Sequence, residues 1–144
     1  MKLRIATQKD LAPLALVEMS SGYHQERFDF KPTLRELFKE KVDIICAEDD
    51  SIIGYITLGG DGEIAFLSVS KQHPRKGIAG KLIEKAIDIA KTKGIKKLYL
   101  DVRKENDVAI KLYLKHGFKI GSITKKKIHD LVIEKIRMEF LENS

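Results

Sequence analysis

The chain has 144 residues, of which 43% are hydrophobic and 33% charged, and its formal net charge is +6. This size and composition are typical of one globular domain with a buried core, so we expect a single domain over residues 1–144. No apolar run is long enough to span a membrane, and the N-terminal residues lack the apolar core of a secretory signal. We therefore expect a cytoplasmic protein without a membrane partner.

In the first half of the chain, apolar spacing and turn residues predict one strand, two helices and then three strands. Thr7 and Asp10 have the spacing of a helix N-cap followed by a capping carboxylate. Residues 20–30 are polar and aromatic, and they predict a loop or an irregular helix. The predicted elements are a strand at 3–5, a helix at 7–19, a short helix from 32, and strands at 42–48, 52–58 and 63–70.

In the second half, apolar residues at helical spacing begin at Ile78 and end at Gly94, and a second helix runs from Asn106 to Gly117. Strands are predicted at 95–102, 118–123 and 132–140. The order is β-α-α-β-β-β-α-β-α-β-β, and the strand-helix-strand crossover implies a parallel pair. We expect a mixed α/β fold with one sheet of about seven strands and flanking helices.

Charge is concentrated in the middle of the chain. From Lys71 to Lys97 there are nine basic and two acidic residues, a local +7, which leaves −1 for the rest of the +6 total. This indicates an anionic partner, either nucleic acid or a phosphorylated cofactor. Nucleic acid is disfavoured because the lysines lie on the polar face of an amphipathic helix and no nucleic-acid-binding signature is present.

Cys46 is the only cysteine, so no internal disulfide can form. Its position inside an apolar run predicts a small buried hydrophobic residue and not a nucleophile. The cysteine and the four histidines do not have the spacing of metal ligands, so we expect no metal.

The loop before the third helix reads SKQHPRKGIAGKL. Gly77, Ala79 and Gly80 are small and allow close approach of the backbone to a ligand, while Arg75 and Lys76 add positive charge. The loop opens a helix N-terminus, which favours anions, and the combination suits a pyrophosphate. It matches neither the dinucleotide fingerprint nor the Walker loop. The alternative is a glycine-containing turn that merely starts a helix.

Residues 63–87 resemble the acyl-CoA-binding motif of the GNAT superfamily of N-acetyltransferases. The family pattern [QR]-x-x-G-x-[GA] falls on residues 74–79, with Pro74 where Gln or Arg is usual. Residues 98–121 resemble the family's closing signature, a strand followed by N-x-x-A and LY-x-K-x-GF. The resemblance implies a single GNAT-like domain, close to the protein-acetylating branch, that uses acetyl-CoA. Pro74 implies that backbone amides carry more of the pyrophosphate contact.

The same resemblance implies the cofactor-binding residues. The backbone of Leu67 and Val69 is implied to hydrogen-bond the pantetheine arm, and Ser68 between them is implied to belong to the same cofactor site. Asn106 lies near the cofactor arm, although it is also a good helix N-cap. The residues implied to surround the pyrophosphate are Arg75, Lys76, Gly77, Ile78, Ala79 and Gly80.

Three residues are implied in catalysis. Tyr113 corresponds to the family's general acid, which protonates the thiolate leaving group, and its alternative role is packing of the helix. Glu63 corresponds to a general base acting through water, on the same predicted strand face as Leu67 and Val69. Asp101 is the rival base, and its alternative role is an ion pair with Arg103. Water alone is the third possibility.

The acceptor site is expected in the variable parts of the chain. A protein amine, either a lysine side chain or an N-terminus, is the leading acceptor, and a small amine such as a polyamine or an aminoglycoside is second. A non-catalytic acyl-CoA sensor is the alternative of another class. The sequence is compatible with either a monomer or a homodimer. The residues expected to line the acceptor pocket or attract a cationic amine are Tyr23, His24, Glu26, Phe28, Asp29, Phe30, Glu36 and Glu40.

Overall fold

The computed structural model describes residues 1–20, 29–72 and 77–142. Its elements are β1 (Lys2–Ile5), α1 (Leu11–Ser20), α2 (Lys31–Lys39), β2 (Asp43–Asp49), β3 (Ser51–Leu58), β4 (Leu67–Val69), α3 (Ile78–Thr92), β5 (Lys97–Arg103), α4 (Asp107–Lys115), β6 (Lys119–Ile128) and β7 (Leu131–Leu141). The predicted order and the mixed α/β class are confirmed. Within the described residues, no helix is both long and apolar enough to cross a membrane.

The strands form two antiparallel sheets, and the predicted single mixed sheet is a simplification of this arrangement. One sheet has the order β1-β2-β3-β4 and the other β5-β7-β6. Among the residues that the structure describes, they meet at one isolated parallel bridge, between Glu63 and Tyr99. There the Ile64 N–H donates to the Tyr99 carbonyl at 2.9 Å, and the Tyr99 N–H donates to the Gly62 carbonyl at 3.0 Å. The predicted parallel pair is thus reduced to a single bridge, and β4 begins beyond it.

Thr57 on β3 explains why β4 begins only at Leu67 and not at residue 63. Its Oγ1 accepts from the Ala65 N–H at 3.2 Å and from the Phe66 N–H at 3.0 Å. Two consecutive amides directed at one hydroxyl cannot belong to a regular strand, in which successive N–H groups point to opposite edges. Residues 64–66 are therefore irregular, and the ladder starts after them.

This irregularity breaks the side-chain alternation on which the placement of Glu63 depended. Ile64 is buried in the same core that Leu67 and Val69 pack against. A regular strand would place Ile64 and Leu67 on opposite faces. The prediction that Glu63 shares a strand face with Leu67 and Val69 is therefore wrong, because the alternation of side chains between the two faces is interrupted between residues 64 and 67.

Hydrophobic cores lie on both faces of the four-stranded sheet. Helix α3 packs on one face, together with residues of the three-stranded sheet, Tyr113 and Phe118. Helices α1 and α2 pack on the other face. Burial on both faces explains why β2 and β3 are almost continuously apolar. Cys46 belongs to the second core and is completely buried, as predicted, and this burial raises the pKa of its thiol.

The closing hairpin is longer than predicted. Strands β6 and β7 continue to Ile128 and Leu131, and His129 at the turn has φ 55°. Every residue of β6 is exposed. Because no face of this strand enters a core, its sequence lacks the hydrophobic alternation that marks a half-buried strand.

Arg4 joins β1, β2 and the start of α1. Its guanidinium contacts both carboxylate oxygens of Asp10, at 2.9 and 3.0 Å, and both of Glu48, at 3.1 and 3.2 Å. Asp10 also accepts from the Thr7 N–H at 2.8 Å, which is the predicted capping contact, although the segment starts as a short 3-10 turn. Arg4 holds the pKa of Asp10 and of Glu48 below the usual range.

Replacing Asp10 by asparagine should lower the free energy of unfolding at neutral pH by about 1 kcal/mol, the usual size of a partly exposed charged contact. A carboxylate with a depressed folded-state pKa contributes stability above its unfolded-state pKa and loses it as the pH falls through the folded-state value. The difference between wild type and Asp10→Asn should therefore vanish in acid.

Urea unfolding at pH 7 and at pH values below about 4 measures this. Asp43→Asn is the control, because Asp43 pairs with Lys93, whose side chain is 51% exposed. We expect a smaller effect there. A difference for Asp10→Asn that does not change with pH would contradict the assignment.

Candidate functional site

The start of α3 is open and suited to an anion. Gly77 precedes the helix with φ 64° and ψ 24°, the left-handed region that favours glycine, and a Cβ added there would meet no atom within 4 Å. Ile78 is 2% exposed and anchors the helix in the core. The amides of a helix's first turn lack partners within the helix, so the segment from Gly77 to Gly80 has backbone N–H groups available to an anion. Gly77 itself is exposed.

Part of the predicted pyrophosphate loop lies outside the described residues. This applies to His73, Pro74, Arg75 and Lys76. The roles of Arg75 and Lys76, and the consequence of Pro74, therefore stay predictions.

His116 packs against the first turn of α3, a contact that sequence reasoning missed. A Cβ added to Gly80 would lie 3.0 Å from Nε2 of His116. The other ring nitrogen, Nδ1, is 3.8 Å from Oε1 of Glu84. The absence of a side chain at Gly80 thus lets the end of α4 approach the start of α3.

Gly80→Ala should destabilise the protein by about 1 kcal/mol, because the new methyl group forces the His116 ring to move. In a His116→Ala background the same change should stabilise by about 0.5–1 kcal/mol, since alanine is a better helix former than glycine. Urea unfolding of the four variants in this cycle measures the coupling. An equal effect of Gly80→Ala in both backgrounds would show that the ring does not restrict this position.

Strand β4 presents one of its edges to the gap between the two sheets. On its other edge, the Phe66 carbonyl accepts from the Thr57 N–H at 3.0 Å and the Ser70 N–H donates to the Ile53 carbonyl at 2.8 Å. In an antiparallel pair, alternate residues direct their backbone groups to opposite edges. Residues 66, 68 and 70 therefore face β3, and the N–H and C=O groups of Leu67 and Val69 face the gap.

Tyr113 and Asn106 have clear local roles. The Tyr113 side chain is 6% exposed and meets the Phe118 ring edge-on, with the ring centroids 5.2 Å apart. Tyr113 therefore packs in the core on the α3 face of the sheet. This packing is the alternative role that the sequence left open for it. Asn106 caps α4, because its Oδ1 accepts from the Ala109 N–H at 3.2 Å. A catalytic role for Tyr113 and a cofactor contact of Asn106 stay predictions.

Asp101 is held by an arginine other than the expected one. Its two oxygens accept from Arg137 at 2.7 and 3.2 Å, across the β5–β7 pair. Arg103 pairs instead with Glu105 at 2.9 Å, so the expected partner is corrected. The Arg137 guanidinium also lies 4.7 Å from the centroid of the Tyr99 ring. Asp101 raises the pKa of Arg137, and the carboxylate is engaged at both oxygens.

Glu63 is exposed at the junction of the two sheets. Its N–H donates to Oδ1 of Asp61 at 3.1 Å, and Oδ2 of Asp61 accepts from the Tyr99 hydroxyl at 2.5 Å. This hydroxyl lowers the pKa of Asp61, and Asp61 in return raises the pKa of Tyr99 to about 12. Because Glu63 pairs with Tyr99, two residues before Asp101, both predicted bases lie at the same junction.

Glu18 is a buried carboxylate that sequence reasoning did not single out. It lies on α1, is 3% exposed, and its Oε1 accepts from the Tyr55 hydroxyl at 2.6 Å and the Ser68 hydroxyl at 2.5 Å. Burial and the nearby Glu18 raise the pKa of Tyr55. The available signal was a glutamate inside a helix whose other residues are almost all apolar.

The residues expected to line an acceptor pocket are only partly described. Phe30 is 2% exposed and meets the Phe66 ring edge-on at 5.1 Å, so it covers the second core. The acidic residues Asp29, Glu36 and Glu40 are exposed. Tyr23, His24, Glu26 and Phe28 lie outside the described residues. No three His, Cys, Asp or Glu side chains in the described part of the chain are placed to bind a metal ion.

The described residues thus form a mixed α/β domain in which two antiparallel sheets meet at a parallel bridge and a free strand edge lies near a helix N-terminus. The chain belongs to the acetyltransferase (GNAT) family, whose sequence model matches residues 10–118.

Relatives and solved structures agree with this assignment. The spermidine N(1)-acetyltransferase of Thermoplasma acidophilum is 28% identical over 111 residues, 72% of this chain and 69% of that protein. The N-alpha-acetyltransferase 30 of Schizosaccharomyces pombe is 28% identical over 82 residues, 51% of this chain. The GCN5-related N-acetyltransferase 6 of Arabidopsis thaliana is 44% identical over 59 residues, 41% of this chain. The matched parts span only 55% of the Schizosaccharomyces protein and 20% of the Arabidopsis protein.

The fold itself is shared with solved acetyltransferases. The structure of yncA from Salmonella typhimurium, which contains its cofactor acetyl-CoA, has a TM-score of 0.81 at 18% identity and covers 100% of this chain and 95% of that chain. The ribosomal-protein-alanine N-acetyltransferase of Brucella melitensis has a TM-score of 0.79 at 16% identity, and the match covers 99% of this chain and 100% of that chain.

Proposed function

We propose that the protein is an acetyl-CoA-dependent N-acetyltransferase that transfers an acetyl group to a primary amine by direct attack on the thioester. The observation that carries this proposal is the free edge of β4. The backbone groups of Leu67 and Val69 face the gap between the sheets, as residues 66 and 70 bond to β3. Such an edge is suited to an extended amide-containing chain, because it supplies donors and acceptors at strand spacing.

The start of α3 fits the charged end of the same cofactor. The amides of Gly77, Ile78, Ala79 and Gly80 and the positive end of the helix dipole stabilise a pyrophosphate. Arg75 and Lys76 supply formal charge in the same loop, and Asn106 completes the proposed set. Ser68 is left out of it, because its backbone groups face β3 and its hydroxyl donates to Glu18. No step of this binding requires a metal.

The chemistry divides into three tasks for the chain's own residues. Acetyl-CoA supplies the thioester. A backbone N–H of the Leu67–Val69 strand donates to the oxyanion that develops on the attacked carbonyl. The Tyr113 hydroxyl donates a proton to the departing thiolate.

The third task is to take a proton from the acceptor ammonium, since only the free amine is a nucleophile. We assign it to Glu63, directly or through water. Asp101 is the weaker choice because Arg137 contacts both of its oxygens, so proton transfer to Asp101 requires loss of an ion pair. The exposed Glu63 carboxylate carries no such contact among the described residues.

The acceptor is a primary amine, and we favour the amine of a protein, either an N-terminus or a lysine. The likeness to an N-alpha-acetyltransferase supports this choice. A polyamine is the second candidate, favoured by the longer match to a spermidine N(1)-acetyltransferase, which extends over 72% of this chain. Thiol release from acetyl-CoA, measured against peptides with different N-termini, a lysine peptide and spermidine, separates the two.

Tyr113→Phe should lower kcat by about 10²-fold, the usual contribution of one general acid, and leave acetyl-CoA binding unchanged. Steady-state kinetics and calorimetric binding of acetyl-CoA measure the two quantities. Tyr55→Phe is the matched control, because it removes a buried tyrosine hydroxyl on the opposite face of the sheet. We expect its kcat to stay within about twofold of the wild type, as no reacting group is lost.

Three results would contradict the proposal. Normal acetyl-CoA binding without turnover on any amine would favour a sensor of acyl-CoA. Thermal stabilisation by an oligonucleotide but not by CoA would favour nucleic-acid binding. An unchanged kcat in Tyr113→Phe would remove this residue from the mechanism.

A further inference from the structure

We propose that Glu18 is a positioning residue for acyl transfer: its buried carboxylate clamps Ser68 to Tyr55 and so holds the free edge of β4 toward the gap. This inference rests on the proposed function, in which that edge binds the acyl carrier. The residue itself contacts neither substrate nor cofactor in the proposal and acts through Ser68.

The placement of Glu18 needs an explanation beyond packing. The neighbouring residues Leu14, Ala15 and Val17 on α1 are buried and apolar, and Glu18 is equally buried at 3% exposure. A carboxylate removed from water is costly unless hydrogen bonds compensate for the lost hydration. Here two hydroxyl groups donate to the same oxygen, at 2.6 and 2.5 Å.

The two donors lie opposite each other on neighbouring strands. Tyr55 on β3 is the register partner of Ser68 on β4. One carboxylate of α1 thus receives a hydroxyl from each member of a cross-strand pair. The contact ties the helix to both strands at the centre of the β3–β4 ladder.

Strand β4 has few other means of fixing its position. It has three residues, and the segment before it, 64–66, is irregular. Within the part of the chain that the structure describes, it pairs with only one neighbouring strand, β3. A short strand with one neighbour can rotate about its own axis more easily than one paired on both edges.

Ser68 is the residue whose side chain controls that rotation. It is the central residue of β4, and the flanking Leu67 and Val69 direct their backbone groups to the gap. In a strand, side-chain direction and backbone direction are rigidly related. Holding the Ser68 hydroxyl at Glu18 therefore sets the angle at which the flanking amides meet a ligand.

The test compares Ser68→Ala with Tyr55→Phe, since each removes one hydroxyl from the same carboxylate oxygen. Only the first loosens β4. We expect Ser68→Ala to lower kcat/KM for acetyl-CoA about tenfold and Tyr55→Phe to change it less than about twofold, with similar losses in Tm. Glu18→Gln keeps an oxygen that accepts from both hydroxyls, so it should retain most of the activity that Glu18→Leu loses.

A second readout does not depend on activity or on a ligand. In the free protein, the amide resonances of Leu67 and Val69 should shift in Glu18→Leu, a change far from β4 in sequence, and should stay near their wild-type positions in Tyr55→Phe and Glu18→Gln. This separates failure of the inference from failure of the proposed function, because it applies even to a protein without turnover.

Equal kinetic losses in Ser68→Ala and Tyr55→Phe would overturn the inference, because they would show a general structural effect. Unchanged Leu67 and Val69 resonances in a folded Glu18→Leu variant would also overturn it. If Glu18→Leu does not fold, the comparison of kcat/KM between Ser68→Ala and Tyr55→Phe still tests the inference.

Discussion

In the described part of the chain, the two sheets are joined by one parallel bridge, between Glu63 and Tyr99, and the rest of the site depends on this limited pairing. Had β4 continued the pairing with β5, the backbone of Leu67 and Val69 would be consumed in a ladder. The Thr57 hydroxyl prevents this, because it accepts the amides of Ala65 and Phe66 and interrupts the strand after the bridge. The cost is an irregular segment, and the consequence is a free strand edge beside a helix N-terminus.

The groups around this gap differ in kind. At the start of α3 the chain offers backbone amides, which suit phosphate. At the sheet junction it offers carboxylates: Asp61 bound by Tyr99, Asp101 bound by Arg137, and the exposed Glu63. A cationic acceptor and an anionic cofactor are therefore expected at opposite ends of one cleft. This division of charge follows from the fold, since α3 and the bridge lie on opposite sides of β4 along the chain.

Local sequence signals predicted much of this structure. The element order, the cap at Asn106, the capping contact of Asp10 and the buried state of Cys46 all depend on residues close in sequence, and they are confirmed. The split of the sheet was not predictable in the same way. It depends on the hydrogen bonds from the Ala65 and Phe66 amides to the Thr57 hydroxyl, which lies eight and nine residues earlier in the chain. Hydrophobic periodicity does not indicate such contacts.

The same limit applies to the candidate site. Asp101 meets Arg137, 36 residues away, and Glu18 meets Ser68, 50 residues away. Both contacts come from tertiary packing. Sequence patterns indicated which residue types lie near the cofactor, but they do not reveal which carboxylates are already paired. For this reason the preference for Glu63 over Asp101 gained its physical argument only from the contact between Asp101 and Arg137. The roles of Arg75 and Lys76 stay predictions, because residues 73–76 lie outside the described part of the chain.

The most direct test of the account is an amide NMR titration of the protein with CoA. We predict that the largest shifts fall on Leu67 and Val69 and on Gly77 to Gly80, because these amides face the gap and the helix start. Shifts confined to the β6–β7 hairpin, or no shifts at millimolar CoA, would contradict the assignment of the gap as the cofactor site.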